Sequence, residues 1–397
     1  MIRVAVLGAT GSIGGSTLEV IGRHSERFRA EILATHRSVD RLARQVERYR
    51  PRVAVVADAT QPLAIATSSA EAAEATEWRT GRDALLAAAE DPSVDVVLNA
   101  LVGAAGLELT VRALAAGKRL ALANKESLVA GGPIVLDAAR KGGGEIVPID
   151  SEHSAILQCL HGCDAKSVQR LILTASGGPF RGRGPGELRR VRPADALKHP
   201  TWAMGAKITI DSATLANKAL EVIEAHFLYG LEYDRIGAVV HPQSVIHSFV
   251  EFVDGSVLAQ VGLPTMELPI LYALSYPERI PDATLRTYDP VASSPLTFEE
   301  VDHEAFPLFA LGVEAGRRGG SAAAVYNAAN EVAVEAFLAE KISFPEMADV
   351  VGTTLERLGA HDLTDIHDVL AADREARAAA AEVVEHLGRS ATGMTRT

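Results

Sequence analysis

Two carboxylates two residues apart, Asp150 and Glu152, close the apolar run Ile146-Val147-Pro148-Ile149. In an extended segment residues i and i+2 point the same way, so the pair can aim at one point. Hard oxygen donors in that arrangement suit Mg²⁺ or Mn²⁺. On these residues alone, a strand running into a solvated loop with incidental acids is an equal reading. Two other stretches bear on the choice. A glycine-rich turn precedes the carboxylates, and a helical pattern carrying Asn217, Lys218 and Glu221 follows them.

The glycine turn stands where nucleotide chemistry needs it. Residues 2–7 read as a buried strand, Gly8-Ala9-Thr10-Gly11-Ser12-Ile13-Gly14 follows at once, and residues 16–21 continue as a helix. Gly8 permits the turn, Gly11 the approach of backbone to a pyrophosphate, and Gly14 close packing of the helix. The amides at the helix start then face the anion. A second strand over 31–35 ends in His36-Arg37-Ser38, with no acid for an unphosphorylated ribose. That trio suits a 2′-phosphate and hence NADP(H), the alternative being an ordinary basic loop.

The alternation continues with a helix over 39–49, strands over 52–57 and 94–98, and a helix over 85–90 between them. A helix over 107–116, a strand over 119–123 and a helix over 133–141 complete it. Asn124-Lys125-Glu126-Ser127 ends the strand over 119–123, as a helix cap, a catalytic edge, or both. Repeated strand and helix predict a parallel, Rossmann-like α/β sheet domain over residues 1–150.

Beyond it, 168–174 reads as a strand ending in Ala175-Ser176-Gly177-Gly178, whose amides and hydroxyl can form a phosphate nest. The long loop 181–201, rich in Arg, Gly and Pro, reads as a lid or as a surface excursion, with Trp202 and Met204 placed to shield a ligand. A helix over 215–229 sets Leu215, Ala219, Val222, Ile223 and His226 on one side and Asn217, Lys218 and Glu221 on the other. On pattern alone Lys218 and Glu221 form a solvent-exposed ion pair, while Asn217 and Glu221, at i and i+4, could share one ligand. Strands over 235–240, 245–253 and 257–261, with a turn at Asp254-Gly255, predict a central α+β domain over 151–280 with a mostly open sheet. Its uncovered edge predicts a homodimer. A linker over 281–303 and a helical bundle over 304–397 follow, with separate helices over 365–370 and 373–387 and a fraying tail from 388.

Composition bounds the function. A chain of 397 residues with 48% hydrophobic residues supports a large core. The net charge of -12 argues against a broad nucleic-acid footprint. No apolar run is long enough to span a bilayer, and no basic leader precedes the first strand, so a cytoplasmic location is expected. Cys159 and Cys163 read as buried structural thiols of a reducing compartment.

Taken together, several ordered motifs resemble the 1-deoxy-D-xylulose 5-phosphate reductoisomerase family over essentially the whole chain. They are Gly8 to Gly14, Ala123-Asn124-Lys125-Glu126-Ser127, Pro148-Ile149-Asp150-Ser151-Glu152-His153, Thr174 to Phe180, His199-Pro200-Thr201-Trp202-Ala203-Met204-Gly205, Asp211 to Glu221, and His241-Pro242-Gln243-Ser244. The resemblance implies NADPH- and metal-dependent rearrangement and reduction of a small phosphorylated sugar in non-mevalonate isoprenoid biosynthesis.

By resemblance, Asp150, Glu152 and Glu221 ligate one Mg²⁺, Mn²⁺ or Co²⁺ per subunit. Ser176, Ser212, Asn217 and Lys218 hold the substrate phosphate and nearby hydroxyls, Ser151, Lys125 and Asn124 surround the reacting end, and His199, Trp202 and Met204 belong to the lid. Cofactor contacts fall on Thr10, Gly11, Ser12, Ile13, His36, Arg37, Ser38, Asn124, Lys125 and Glu126. The chain departs from many relatives at Thr35-His36-Arg37-Ser38, where a glycine and an asparagine are usual. Two rivals share the first domain: another NADP-dependent dehydrogenase, and a non-enzymatic NADP(H)-sensing regulator. Neither needs the three carboxylates or the phosphate-binding set.

Overall fold

The chain, described here from a computed structural model that covers residues 1–61, 75–202 and 204–394, forms two compact units. The first comprises Met1–Ser127, Pro133–Ser154 and Thr265–Arg286. Its centre is a seven-stranded sheet of β1 (Ile2–Leu7), β2 (Phe28–Thr35), β3 (Val53–Val56), β4 (Glu77–Thr80), β5 (Val96–Asn99), β6 (Arg119–Leu122) and β7 (Glu145–Pro148). Every pairing is parallel, in the order β4-β3-β2-β1-β5-β6-β7. Val4 to Leu7 and Val53 to Val56 have no solvent exposure, as continuous apolar strands covered on both faces require. The order reverses between β1 and β5, so the loops after these strands flank the crevice where such sheets bind ligands. β4, with its Glu-Trp-Arg-Thr sequence, has no apolar run to announce it; it pairs along β3 at the sheet edge.

The helix Ser12–Arg23 packs against Glu267–Ser275, a helix the sequence reading did not find. Arg23 joins them through Glu267 at 2.7 Å and Asp282 at 2.9 Å. Residues 265–286 therefore pack with the parallel sheet. A second difference lies at Glu126–Gly142, a single helical run that bends at the non-helical Gly131, just ahead of Pro133. The expected start at 133 was the proline; the helix begins seven residues earlier.

The second unit contains Leu128–Gly132, Ala155–Pro264 and Thr287–Thr397. Its sheet, β11-β10-β8-β9, is mixed: β8 (Val168–Ala175) runs antiparallel to β10 (Ile246–Phe252) and parallel to β9 (Ile236–Val240), and β11 (Val257–Val261) closes the hairpin at Asp254-Gly255. Gly255 takes φ 84° there, and Asp254 accepts from the Ser256 amide at 2.9 Å. The helices Pro307–Arg318, Ala322–Leu338, Glu346–Leu358 and Ile366–Met394 follow. The last corrects the two helices expected over 365–370 and 373–387. Asp373 does not cap a new start but pairs one turn on with Arg377 at 2.8 Å. The expected fraying tail is helical through Met394, and residues 395–397 lie outside those described. One apolar core runs through this unit, from Ile156 and Leu173 through Ile223 to Tyr326 and Val350. Among the described residues no helix is long and apolar enough to cross a membrane.

Candidate functional site

Three groups of predicted residues emerge, two in the first unit and one in the second. The glycine turn is built as its sequence requires. Gly8 has φ 94°, and a Cβ there would stand 2.7 Å from the Ala100 carbonyl oxygen, across the β1/β5 crevice. At Gly14 a Cβ would meet the Gly8 carbonyl oxygen at 2.3 Å, so only glycine lets the helix Ser12–Arg23 start against the turn. Thr10 and Thr35 share a hydroxyl hydrogen bond of 2.6 Å, which ties the turn to the end of β2. Gly11 and Ser12 are exposed, Ile13 is half-buried, and His36, Arg37 and Ser38 all reach solvent. The cradle fits a dinucleotide phosphate: glycines let the turn close tightly on the end of β5 and on the helix start, whose amides face an anion there.

The second group sits at the ends of β6 and β7, which pair in register with Leu122 opposite Pro148. Lys125 and Asp150 leave these neighbouring strands and form an ion pair. Asp150 lies beyond β7, and Glu152 stands in the first turn of the helix Ser151–Leu160. This corrects the extended-segment argument. The two acids come together at a strand-to-helix turn, with Ser154 N–H bonded to the Asp150 carbonyl at 2.8 Å, and not through a period of two. Ser151 donates its hydroxyl to Glu152.

Burial by itself would raise the Asp150 carboxyl. The Lys125 ammonium outweighs it, with help from His153 and Glu152, and holds the group below the usual carboxylate range. Asn124 is fully buried; its amide bonds the carbonyls of Leu101 and Gly103, each at 2.9 Å, and Glu126 at 3.2 Å. It holds the loop after β5 in place. Lys125 and Glu126 are buried beside it.

The third group gathers in the second unit. Ser176 follows β8, where Gly177 and Gly178 take φ 82° and 66°. Gly178 N–H donates to Ser176 Oγ at 3.2 Å. A Cβ at Gly178 would lie 2.6 Å from the Ser212 carbonyl oxygen, so glycine brings Ser176 and Ser212 together. Between them stands His199, with Nε2 3.0 Å from Ser176 Oγ and 3.1 Å from Ser212 Oγ. Its Nδ1 accepts the N–H groups of Thr201 and Trp202 at 3.1 and 2.9 Å, which puts the ring proton on Nε2. Desolvation lowers the His199 pKa and keeps the ring neutral. Trp202 and Met204 are half-buried, and Ala203 of the same motif lies outside the described residues.

Asn217, Lys218 and Glu221 share a face of the helix Ala216–Tyr229, and Glu221 accepts from both of the others. Lys218 is 3% exposed and Glu221 1%, which overturns the solvent-exposed pair that the wheel suggested. Buried charges of this kind persist when paired or when they meet a ligand. Ser212 lies near the end of a separate helix, Ala206–Ala213, that the sequence reading did not find; Leu215, at φ 58°, separates it from the next.

Sequence reasoning passed over Asp211. It is buried, accepts from Asn330 at 2.7 Å and pairs with Lys207 at 3.0 Å, fixing the helix that carries Ser212 to the helix Ala322–Leu338. The i, i+4 spacing of Lys207 and Asp211 was the available signal.

Comparison with known proteins bears on the family of the whole chain. Residues 4–132 match the family profile described as 1-deoxy-D-xylulose 5-phosphate reductoisomerase. Residues 146–229 and 261–379 match its two C-terminal domain profiles. The chain is 49% identical over 391 residues to the 1-deoxy-D-xylulose 5-phosphate reductoisomerase of Paraburkholderia phytofirmans, covering 97% of this chain and 96% of that one. Its counterpart in Xanthomonas campestris pv. campestris is 50% identical over 385 residues, covering 97% of each.

Among solved structures, the reductoisomerase of Zymomonas mobilis in complex with NADPH superposes with a TM-score of 0.89 at 43% identity, over 97% of this chain and 99% of that one. A DOX-P reductoisomerase in complex with NADPH, fosmidomycin and magnesium gives 0.87 at 38%, over 97% and 98%. On fold, motifs and near-complete coverage alike, the chain belongs to the 1-deoxy-D-xylulose 5-phosphate reductoisomerase family.

Proposed function

We propose that the chain rearranges the carbon skeleton of 1-deoxy-D-xylulose 5-phosphate and reduces the resulting aldehyde with NADPH. The product is 2-C-methyl-D-erythritol 4-phosphate, an intermediate of non-mevalonate isoprenoid biosynthesis. The observation that supports this most is the Asn217, Lys218 and Glu221 set, with Lys218 and Glu221 buried, in the same unit as the Ser176, His199 and Ser212 cluster. A dehydrogenase or regulator limited to nucleotide binding has no use for it.

Asp150, Glu152 and Glu221 together hold one divalent cation, Mg²⁺, Mn²⁺ or Co²⁺. The fit is chemical: all three offer hard oxygens, and Asp150 and Glu221 already lie against lysine ammonium groups. When bound, the cation supplies Lewis acidity for the ketone and an adjacent hydroxyl, and NADPH supplies the hydride.

The remaining work falls to the chain. Ser176, Ser212, Asn217 and Lys218, with the His199 Nε2 proton, clamp the substrate phosphate. Binding energy gained there orients the reacting carbons. Ser151 and Lys125 stand around the reacting oxygens, where the ammonium balances negative charge that develops during the rearrangement. Trp202 and Met204 cover the substrate and exclude water. Thr10, Gly11, Ser12 and Ile13 take the pyrophosphate, His36, Arg37 and Ser38 the 2′-phosphate, and Asn124 and Glu126 shape the edge of the nicotinamide site. Residues 1–150 thus carry the cofactor cradle together with Lys125 and Asp150, and 151–280 the substrate set with Glu152 and Glu221; the 281–303 linker and the helices of 304–397 follow.

Two wider features complete the reading. The chain acts as a homodimer, for which the exposed Val257, Leu258 and Val261 of edge strand β11 speak. It works in the cytoplasm, where the free thiols of Cys159, half-buried, and Cys163, exposed just beyond the helix Ser151–Leu160 and not buried as expected, stay reduced. The test of the metal set is Glu221→Gln. Metal-dependent turnover should fall at least a hundredfold while NADPH binding is retained; unchanged turnover and metal dependence would remove Glu221 from the set.

A further inference from the structure

The loop proposed for the 2′-phosphate is held by a residue that belongs to none of the motifs. Asp58 follows β3, one strand away. Its carboxylate accepts from Arg37 Nε at 2.8 Å. Its other contacts are the Thr60 N–H at 3.0 Å, the Thr60 hydroxyl at 2.6 Å and Gln61 Nε2 at 3.2 Å. Its own N–H bonds the His36 carbonyl at 3.0 Å, and the preceding Ala57 N–H bonds the Thr35 carbonyl at 2.9 Å.

An acid this close to an anion-binding arginine would ordinarily cancel part of its charge. Here geometry and exposure set the outcome. The Arg37 side chain is 67% exposed and that of Asp58 only 12%. Asp58 engages the Nε edge, and among the described residues the terminal nitrogens of the fork make no other ion pair. Four donors share the negative charge of Asp58 and fix its position. A guanidinium gripped at Nε keeps its terminal edge for a planar, bidentate contact and loses less rotamer freedom when an anion arrives. Ser38 lies beside it as the N-cap of the helix Val39–Tyr49, with its hydroxyl making no cap bond, so a hydroxyl and a helix start flank the fork.

We propose that Asp58 is a positioning residue for cofactor choice: it presents the Arg37 guanidinium to the 2′-phosphate of NADPH and thereby sets the preference over NADH. This rests on the reading of His36-Arg37-Ser38 as the 2′-phosphate subsite. The Asp58 brace supplies order to a long, exposed arginine there.

The test is calorimetric binding of NADPH, NADH and adenosine 2′,5′-bisphosphate to the full chain and its variants. Asp58→Asn keeps an oxygen for Thr60 but turns an amide donor toward Arg37 Nε. It should weaken NADPH and the bisphosphate about tenfold and leave NADH unchanged. Arg37→Gln should do at least as much, and Asp58→Asn should add nothing on that background.

If Asp58→Asn binds NADPH as tightly as the parent, or more tightly, Asp58 merely competes with the phosphate and the proposal fails. Weakening of NADH to the same degree would make Asp58 a general loop brace and overturn it as well. If Arg37→Gln leaves NADPH affinity intact, the subsite reading itself is wrong. That result is distinct from an Arg37 effect that Asp58→Asn fails to reproduce.

Discussion

Lys218 and Glu221 show how far a pattern of residues reaches. On a helical wheel they lie opposite the apolar stripe, and exposed i, i+3 ion pairs are common there. Both are nonetheless buried, because the periodicity of one helix does not encode which of its faces the rest of the fold covers. Two consequences follow from burial. Lys218→Ala leaves the Glu221 carboxylate without its ammonium and should cost about 3 kcal/mol in urea unfolding. The same change should raise the substrate KM at least tenfold; an unchanged KM and kcat would remove Lys218 from the phosphate set.

His199 carries a prediction of opposite character, in pH. Desolvation depresses its pKa from 6.5, so the folded loop favours the neutral ring, whose Nδ1 accepts two backbone N–H groups. A depressed pKa means that this stabilisation is fully present above pH 6.5 and is lost as the pH falls below it through the lower folded value. Intrinsic-rate-corrected hydrogen exchange should show protection at Thr201 and Trp202 declining over that window. In His199→Gln the decline should be absent.

Elements were most legible where local chemistry decides them. β1, β8, β11 and the helix Val39–Tyr49 stand at, or within a residue of, the positions their sequences indicate, because an apolar run or an amphipathic face closes within a few turns. Legibility failed at joints. The helix Ala206–Ala213 went unread, and no glycine marks the break before its successor, because Leu215 takes the left-handed conformation there. The carboxylates were read on an extended strand, whereas a strand-to-helix turn brings them together. β4 lacks an apolar run, and its pairing with β3 is a long-range contact.

The glycine turn gives the sharpest element-scale prediction. With a Cβ placed 2.3 Å from the Gly8 carbonyl oxygen, Gly14→Ala must shift the start of the helix Ser12–Arg23. It should destabilise the fold by about 2 kcal/mol and weaken NADPH binding, both measurable by thermal melting with and without cofactor. The helix Ala206–Ala213 offers a second check. Asn330→Ala removes a buried donor from Asp211 and should lower stability by about 2 kcal/mol in urea unfolding, with a rise in substrate KM as Ser212 loses its support.

At the scale of the whole molecule, the sequence reading identified a parallel α/β sheet, a second sheet and a helical C-terminal region. It did not reveal that residues 265–286 pack with the first sheet, a connection made by Arg23 with Glu267 and Asp282, pairs separated by more than two hundred residues. The edge strand β11 bears on assembly. Sedimentation at micromolar concentration should give a species of twice the 41.9 kDa chain, and a monomer alone would end the homodimer reading.

The central claim concerns the reaction, and one assay addresses it directly. Purified chain is mixed with NADPH and 1-deoxy-D-xylulose 5-phosphate, with Mn²⁺ and again after chelation, while absorbance follows the cofactor and NMR identifies the product. The account predicts metal-dependent NADPH oxidation that yields the branched 2-C-methyl-D-erythritol 4-phosphate. Folded protein that binds NADPH yet oxidises none of it with this substrate and Mn²⁺, or that forms an unbranched product, would contradict it.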